Sequence, residues 1–130
     1  MPRKIMIIDD EEHVRNSLVC FLEDFDEFDL RSAHSAEQAL ISLRREPADL
    51  CVVDIRLPAM NGAEFIRIVR AEGLCPLCIL HTGSTDFQLY IDISEFGMDS
   101  ADVFQKPCDS MAMLDRIRQL LVGNDARVPR

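Results

Sequence analysis

The chain has 130 residues, 48% hydrophobic and 28% charged, which is the composition of one ordinary soluble globular domain with no room for a second. No apolar run approaches the roughly 20 residues needed to cross a bilayer, and the apolar stretch after Arg3 and Lys4 is too short for a signal-peptide core. A formal net charge of -9 repels a phosphate backbone, so no direct nucleic-acid binding is expected, and an odd number of cysteines, five, spread through apolar stretches suits a reduced cytoplasmic protein.

Residues 4–8 read as a strand that stops at Asp9-Asp10-Glu11-Glu12, after which Val14, Leu18, Phe21, Leu22 and Phe25 recur at helical spacing. Residues 29–33 predict a short second strand. Ser35 is a natural N-cap for a helix with Ala36, Ala39, Leu40 and Leu43 on one face, ended by Pro47. Leu50-Cys51-Val52-Val53-Asp54 is apolar and β-branched, the pattern of a parallel strand buried on both faces, and it ends on a carboxylate. Pro58 and the Asn61-Gly62 pair should then turn the chain, because proline fixes φ while Asn and Gly tolerate positive φ. Gly62, Phe65, Ile66 and Val69 mark a third helix closed by Gly73, and residues 76–81 a fourth strand leading into a tight Thr82-Gly83-Ser84 turn. Residues 86–96, with Phe87, Tyr90 and Ile91, predict a fourth helix; residues 101–104 a fifth strand; Leu114, Ile117 and Leu121 a last helix. Gly123 reads as its C-cap, leaving one domain over residues 1–122 and a tail or linker stub over 123–130. Strands alternating with helices force right-handed crossovers and a doubly wound parallel α/β sheet.

In such sheets chemistry gathers outside the carboxyl ends of the strands. Asp9 and Asp10 follow the first strand, Asp54 closes the third, Thr82 closes the fourth, and Lys106-Pro107 follows the fifth. Two carboxylates about 5 Å apart repel by roughly 3 kcal/mol at an effective dielectric of ~20, so clustered acids call for a divalent cation, and hard oxygen ligands favour Mg2+. A metal beside a carboxylate, with a lysine and a hydroxyl nearby, suits phosphoryl transfer: Asp54 attacks in line while Lys106 and Thr82 neutralise the equatorial oxygens. Gly83 leaves room for the incoming group and Pro107 fixes the backbone behind Lys106. Taken singly, each residue has a plainer explanation as a helix-start acid, a cap, a turn hydroxyl or a solvated charge; their joint order carries the chemistry. Cys75-Pro76-Leu77-Cys78 has CxxC spacing without the further ligands of a zinc site, so the cysteines read as buried thiols, and His13, His34 and His81 lack ligand spacing.

Ile7-Ile8-Asp9-Asp10-Glu11, the run Val53 to Gly62, Leu80-His81-Thr82-Gly83 and Gln105-Lys106-Pro107 together resemble the receiver domain of two-component response regulators, over about residues 4–122. The resemblance implies a flavodoxin-like (βα)5 fold with strand order 2-1-3-4-5. It implies Mg2+ bound by Asp10, Asp54 and the backbone carbonyl of Arg56, with Asp9 helping through water, and phosphoryl oxygens held by Thr82 and Lys106. Asp54 would receive phosphoryl from a sensor histidine kinase or phosphotransfer protein, in a signalling domain whose only reactions are self-catalysed transfer and loss of that group. The face of the fourth helix, fifth strand and fifth helix would then switch, altering dimerisation or partner binding. Arg56, Gly83 and Ser84 stand where the family tunes phosphoryl lifetime.

Two departures stand out. Val103 replaces the Tyr or Phe that commonly swings inward in the family, so either the switch works without a ring or the register is locally shifted. The segment between Thr82 and Lys106 is about two residues longer than usual, which predicts a displaced or partly unwound fourth helix. Two other classes compete. A turnover aspartyl-phosphate phosphatase usually carries a second carboxylate where Arg56 stands, and a receiver-like module that ignores phosphate would keep its partner after Asp54→Asn.

Overall fold

Apolar residues run unbroken from Ile5 to Ile8 and recur at helical spacing after that, and the computed structural model, which describes residues 2–83 and 93–127, shows what this change of period builds. In chain order come β1 (Arg3–Ile8), α1 (Glu12–Glu23), β2 (Phe28–Ala33), α2 (Ala36–Arg45), β3 (Leu50–Val53), α3 (Gly62–Ala71) and β4 (Leu77–Thr82). Two 3-10 turns, Ile93–Phe96 and Ser100–Asp102, precede β5 (Val103–Gln105) and α4 (Ser110–Arg127). The sheet is parallel throughout in the order β2-β1-β3-β4-β5, the flavodoxin-like arrangement expected.

The period of two along each strand divides the core. Ile5, Ile7, Leu50, Val52 and Ile79 pack with Leu18 and Leu22 of α1 and Leu114 and Ile117 of α4. Met6, Ile8, Cys51, Val53 and Leu80 pack on the opposite side with Leu40 and Leu43 of α2 and Phe65, Ile66 and Val69 of α3. Every residue of β3 is buried, as a central strand covered on both faces requires. Because the strands are parallel, the ends of β1, β3, β4 and β5 open on one edge.

Local chemistry sets the helix starts. The Ser35 side chain accepts the Gln38 N–H at 3.1 Å and the Asn61 side chain accepts the Glu64 N–H at 2.9 Å, each satisfying a donor that the first turn leaves open. Gly73, at φ +68°, takes the left-handed backbone that closes α3.

Several boundaries depart from the sequence reading. Positive φ in the turn after β3 falls on Ala59 (+61°), whereas Asn61 keeps φ -81° as the N-cap and Gly62 lies inside α3. Glycine is needed at 62 for space: a Cβ there would meet Asp54 O at 2.6 Å and Ile55 Cα at 2.8 Å. The fifth strand begins at Val103, not at 101, because Asp99 and Asp102 cap one another around the preceding turn and draw it out of the ladder. Gly123 is no C-cap, since its backbone has no positive φ and α4 continues through it to Arg127. Of the predicted fourth helix, residues 93–96 form a single 3-10 turn; Ser84, Phe87, Tyr90 and Ile91 lie outside the described residues.

Two neighbouring swaps should therefore act in opposite directions. Gly62→Ala should cost about 2 kcal/mol through overpacking against the end of β3. Ala59→Gly should stabilise by about 0.5 kcal/mol, the relief of a left-handed alanine less the entropy of glycine. Urea midpoints of the two variants against wild type check both signs.

Candidate functional site at the carboxyl edge of the sheet

The ends of β1 and β3 bring two acids face to face. Asp54 continues the ladder by donating its N–H to Ile8 O at 3.0 Å, and Asp9 donates to Ala33 O at 3.1 Å. Both side chains are thereby aimed out of the sheet while staying buried, at 3% exposure for Asp9 and 4% for Asp54. Asp9 Oδ1 accepts the Glu11 N–H at 2.9 Å, and Asp54 Oδ1 accepts the Arg56 N–H at 3.1 Å, so the chain just beyond each strand fixes the carboxylate that ends it.

Lys106 reaches this pair from the end of β5. Its N–H donates to Thr82 O at 2.9 Å, placing it one step beyond the β4–β5 ladder, and its peptide bond to Pro107 is cis. The ammonium stands 2.8 Å from Asp9 Oδ2, 3.0 Å from Glu11 Oε1 and 3.1 Å from Asp54 Oδ2. Burial opposes its charge, but hydrogen bonds to Asp9 and Glu11 and the charge of Asp54 outweigh that cost and hold the lysine well above its usual range. Burial pushes the Asp54 carboxyl up, against the downward pull of the Arg56 amide and Lys106. The His81 imidazole is pushed down, first by burial and then by the Lys106 charge, which favours its neutral form.

Three carboxylates against one ammonium leave two negative charges over. Asp9, Glu11 and Asp54 each present an oxygen within 4.8 Å of the others, the one such group among the described residues. An all-oxygen donor set of this charge suits a hard divalent cation.

The structure brings Asp9, Asp54 and Lys106 into direct contact and places Thr82, fully buried, beside them through the backbone. Asp10 is exposed and turned to the outer side, lining a cavity of about 480 Å³ with Arg56, Pro58 and Asn61. Gly83 faces open space, and a Cβ there would meet nothing within 4 Å, so room for a ligand does not depend on glycine at this position. Together with His13, His81, Lys106 and Cys108 it borders a larger cavity of about 530 Å³ on the α1 side. Val103 pairs with Leu80 and packs toward α2 and α3, while Phe104 pairs with His81 and packs toward α1 and α4. The register is therefore regular, and no aromatic ring occupies the inward position.

Glu11 is the residue that motif reasoning passed over. It stood in view as the third acid of Asp9-Asp10-Glu11-Glu12, but at a helix start it reads as macrodipole compensation. Cys51, Cys75 and Cys78 are buried thiols with pKa pushed up, the unreactive state expected of core cysteines.

The response regulator receiver domain family matches residues 5–118. The response regulator GtcR of Aneurinibacillus migulanus is 30% identical over 121 residues, covering 93% of this chain and 48% of its own. The DNA-binding response regulator MtrA of Mycobacterium tuberculosis is 31% identical over 125 residues, covering 96% of this chain and 53% of its own. The chain thus spans about half the length of these relatives. Among solved structures, a CheY-like receiver domain protein from Methanospirillum hungatei superposes with a TM-score of 0.83 at 23% identity, covering 98% of this chain and 100% of that one. Fold, strand order and family match agree, and the chain belongs to the response regulator receiver domains of two-component signal transduction.

Proposed function

We propose that this receiver accepts a phosphoryl group on Asp54 from a sensor histidine kinase or a phosphotransfer protein. The supporting observation is the 3.1 Å contact between Lys106 Nζ and Asp54 Oδ2 at the open edge of the sheet. A carboxylate at that edge, paired with an ammonium whose other partners are also anions, matches what a transferring phosphoryl group requires.

An Asp54 oxygen forms the new bond to phosphorus while the bond to the donor nitrogen breaks. The donor imidazole leaves with that electron pair and the product is an acyl phosphate. The Arg56 amide holds one Asp54 oxygen and so sets the direction of attack. Lys106 follows the phosphoryl oxygens as they gain charge, and the Thr82 hydroxyl is assigned to a second oxygen. Asp10, Asp54 and the Arg56 carbonyl would hold Mg2+, with Asp9 acting through water; each of these groups offers oxygen, the donor that ion prefers. The ion when bound supplies positive charge to the phosphoryl oxygens.

Arg56 replaces the second carboxylate of a turnover phosphatase, so the domain loses its phosphoryl by slow self-catalysed hydrolysis, with Arg56, Gly83 and Ser84 setting the rate. The output surface is assigned to the segment before β5, β5 itself and α4, with Val103 at its inward position. It switches without a ring at that position and alters dimerisation or effector contact. Direct binding to nucleic acid by this acidic chain, or to membrane, is no part of the reading.

With acetyl phosphate and Mg2+, intact-mass analysis should show one added phosphoryl group, lost in Asp54→Asn and in chelator. Lys106→Ala should slow labelling about a hundredfold, the cost of removing one charge-stabilising donor. Labelling that survives Asp54→Asn would overturn the assignment. Arg56→Asn should change the decay rate of the phosphorylated form by about twofold or more, through the altered field at the acyl phosphate.

The raised Asp54 pKa also predicts a stability profile. A carboxyl that binds its proton more tightly when folded costs stability above the carboxylate range and regains it as pH falls. In metal-free buffer Asp54→Asn should therefore raise the urea midpoint at neutral pH, and that gain should shrink in acid. A gain independent of pH would contradict the buried-charge account.

A further inference from the structure

The lysine ammonium has three N–H groups and three protein acceptors, but the acceptors are not equivalent. The Asp9 and Asp54 side chains are 4% and 5% exposed, whereas that of Glu11 is 59% exposed. Displacing either buried partner would strand a carboxylate out of reach of water, which is costly. Glu11 can be displaced cheaply, because water replaces its lost bond and an exposed ion pair contributes little. Its backbone is already tied to the site through its N–H on Asp9 Oδ1, so the side chain leans back over Lys106 from a fixed point. Glu11 and Lys106 also border the same 530 Å³ cavity, which opens the ammonium to solvent from that side.

Resting on the phosphoacceptor reading above, we propose that Glu11 occupies on Lys106 the hydrogen bond that an incoming phosphoryl oxygen takes, making it a built-in competitor that discriminates against strongly anionic donors. While the pair is closed, the ammonium has no N–H to offer. A donor must break it, and meets the Glu11 charge as it does so. Glu11 is thus a positioning residue acting through Lys106, one that tunes donor choice without touching the phosphorus.

The test compares wild type, Glu11→Gln and Glu11→Asp with two small donors. Acetyl phosphate is a full dianion at neutral pH, whereas phosphoramidate is still partly protonated. Glu11→Gln should raise the second-order labelling rate with acetyl phosphate about threefold to fivefold at low salt, as expected for removing one nearby like charge. The factor should be smaller with phosphoramidate and should shrink as salt is added. Glu11→Asp, which keeps the charge on a shorter arm, should fall between wild type and Glu11→Gln with acetyl phosphate. In metal-free protein, NMR of the Lys106 ammonium should show a moved 15Nζ resonance and faster proton exchange in Glu11→Gln. Equal factors for the two donors, or an unmoved ammonium resonance, would overturn the role of Glu11 while leaving Asp54 as acceptor. Failure of wild type to label with either donor would instead remove the phosphoacceptor reading on which it rests.

Discussion

A single ammonium holds the working edge of this sheet together. Three acids meet where parallel strands end, and without a cation their repulsion would push the ends of β1 and β3 apart by several kcal/mol of unfavourable energy at roughly 5 Å separations. Lys106 answers all three at once, at 2.8 to 3.1 Å, from the end of a strand separated from β1 by both β3 and β4 in the sheet order. The cluster thus acts as a noncovalent clasp across β1, β3 and β5, and its leftover negative charge gives a cation a reason to join.

That clasp depends on the crossovers beneath it. Each strand end is presented because its other end and both faces are packed: β3 is buried along its whole length, and the alternation in β1 splits Met6 and Ile8 from Ile5 and Ile7 onto opposite helical layers. Gly62 couples this packing to the site. Its lack of a side chain lets the start of α3 lie on the Asp54 carbonyl, and its N–H binds Ile55 O at 3.0 Å, so the turn beyond Asp54 is folded back on the strand that carries that carboxylate.

Much of this is legible in the sequence. The all-apolar run at 50–53 announced a central strand, Ser35 announced a cap, and acids after the first and third strands with a lysine after the fifth announced a shared crevice. What escaped was set by contacts that no periodicity encodes. Ala59 takes the left-handed backbone that the neighbouring Asn61 and Gly62 seemed built for, because Asn61 is needed as the cap and Gly62 as the gap. Ala101 and Asp102 stay out of the expected strand because Asp102 is claimed twice, by the Asp99 N–H at 3.0 Å and by Arg116 Nε at 2.7 Å. Gly123 stays helical because a lone glycine costs only about 1 kcal/mol, too little by itself to stop a helix. Glu11 escaped because its role lies in which way a side chain leans.

The brevity of β5 has a mechanical meaning. It has three residues, lies at the rim of the sheet and, among the described residues, pairs only with β4. A short rim strand is the part of a sheet that opens at least cost, since few ladder bonds and few buried neighbours must be given up. Lys106 therefore links a strand buried along its whole length, the stiff end of the contact, to a short and more compliant one at the rim. A change in charge at the stiff end is felt as a tug on the element that yields.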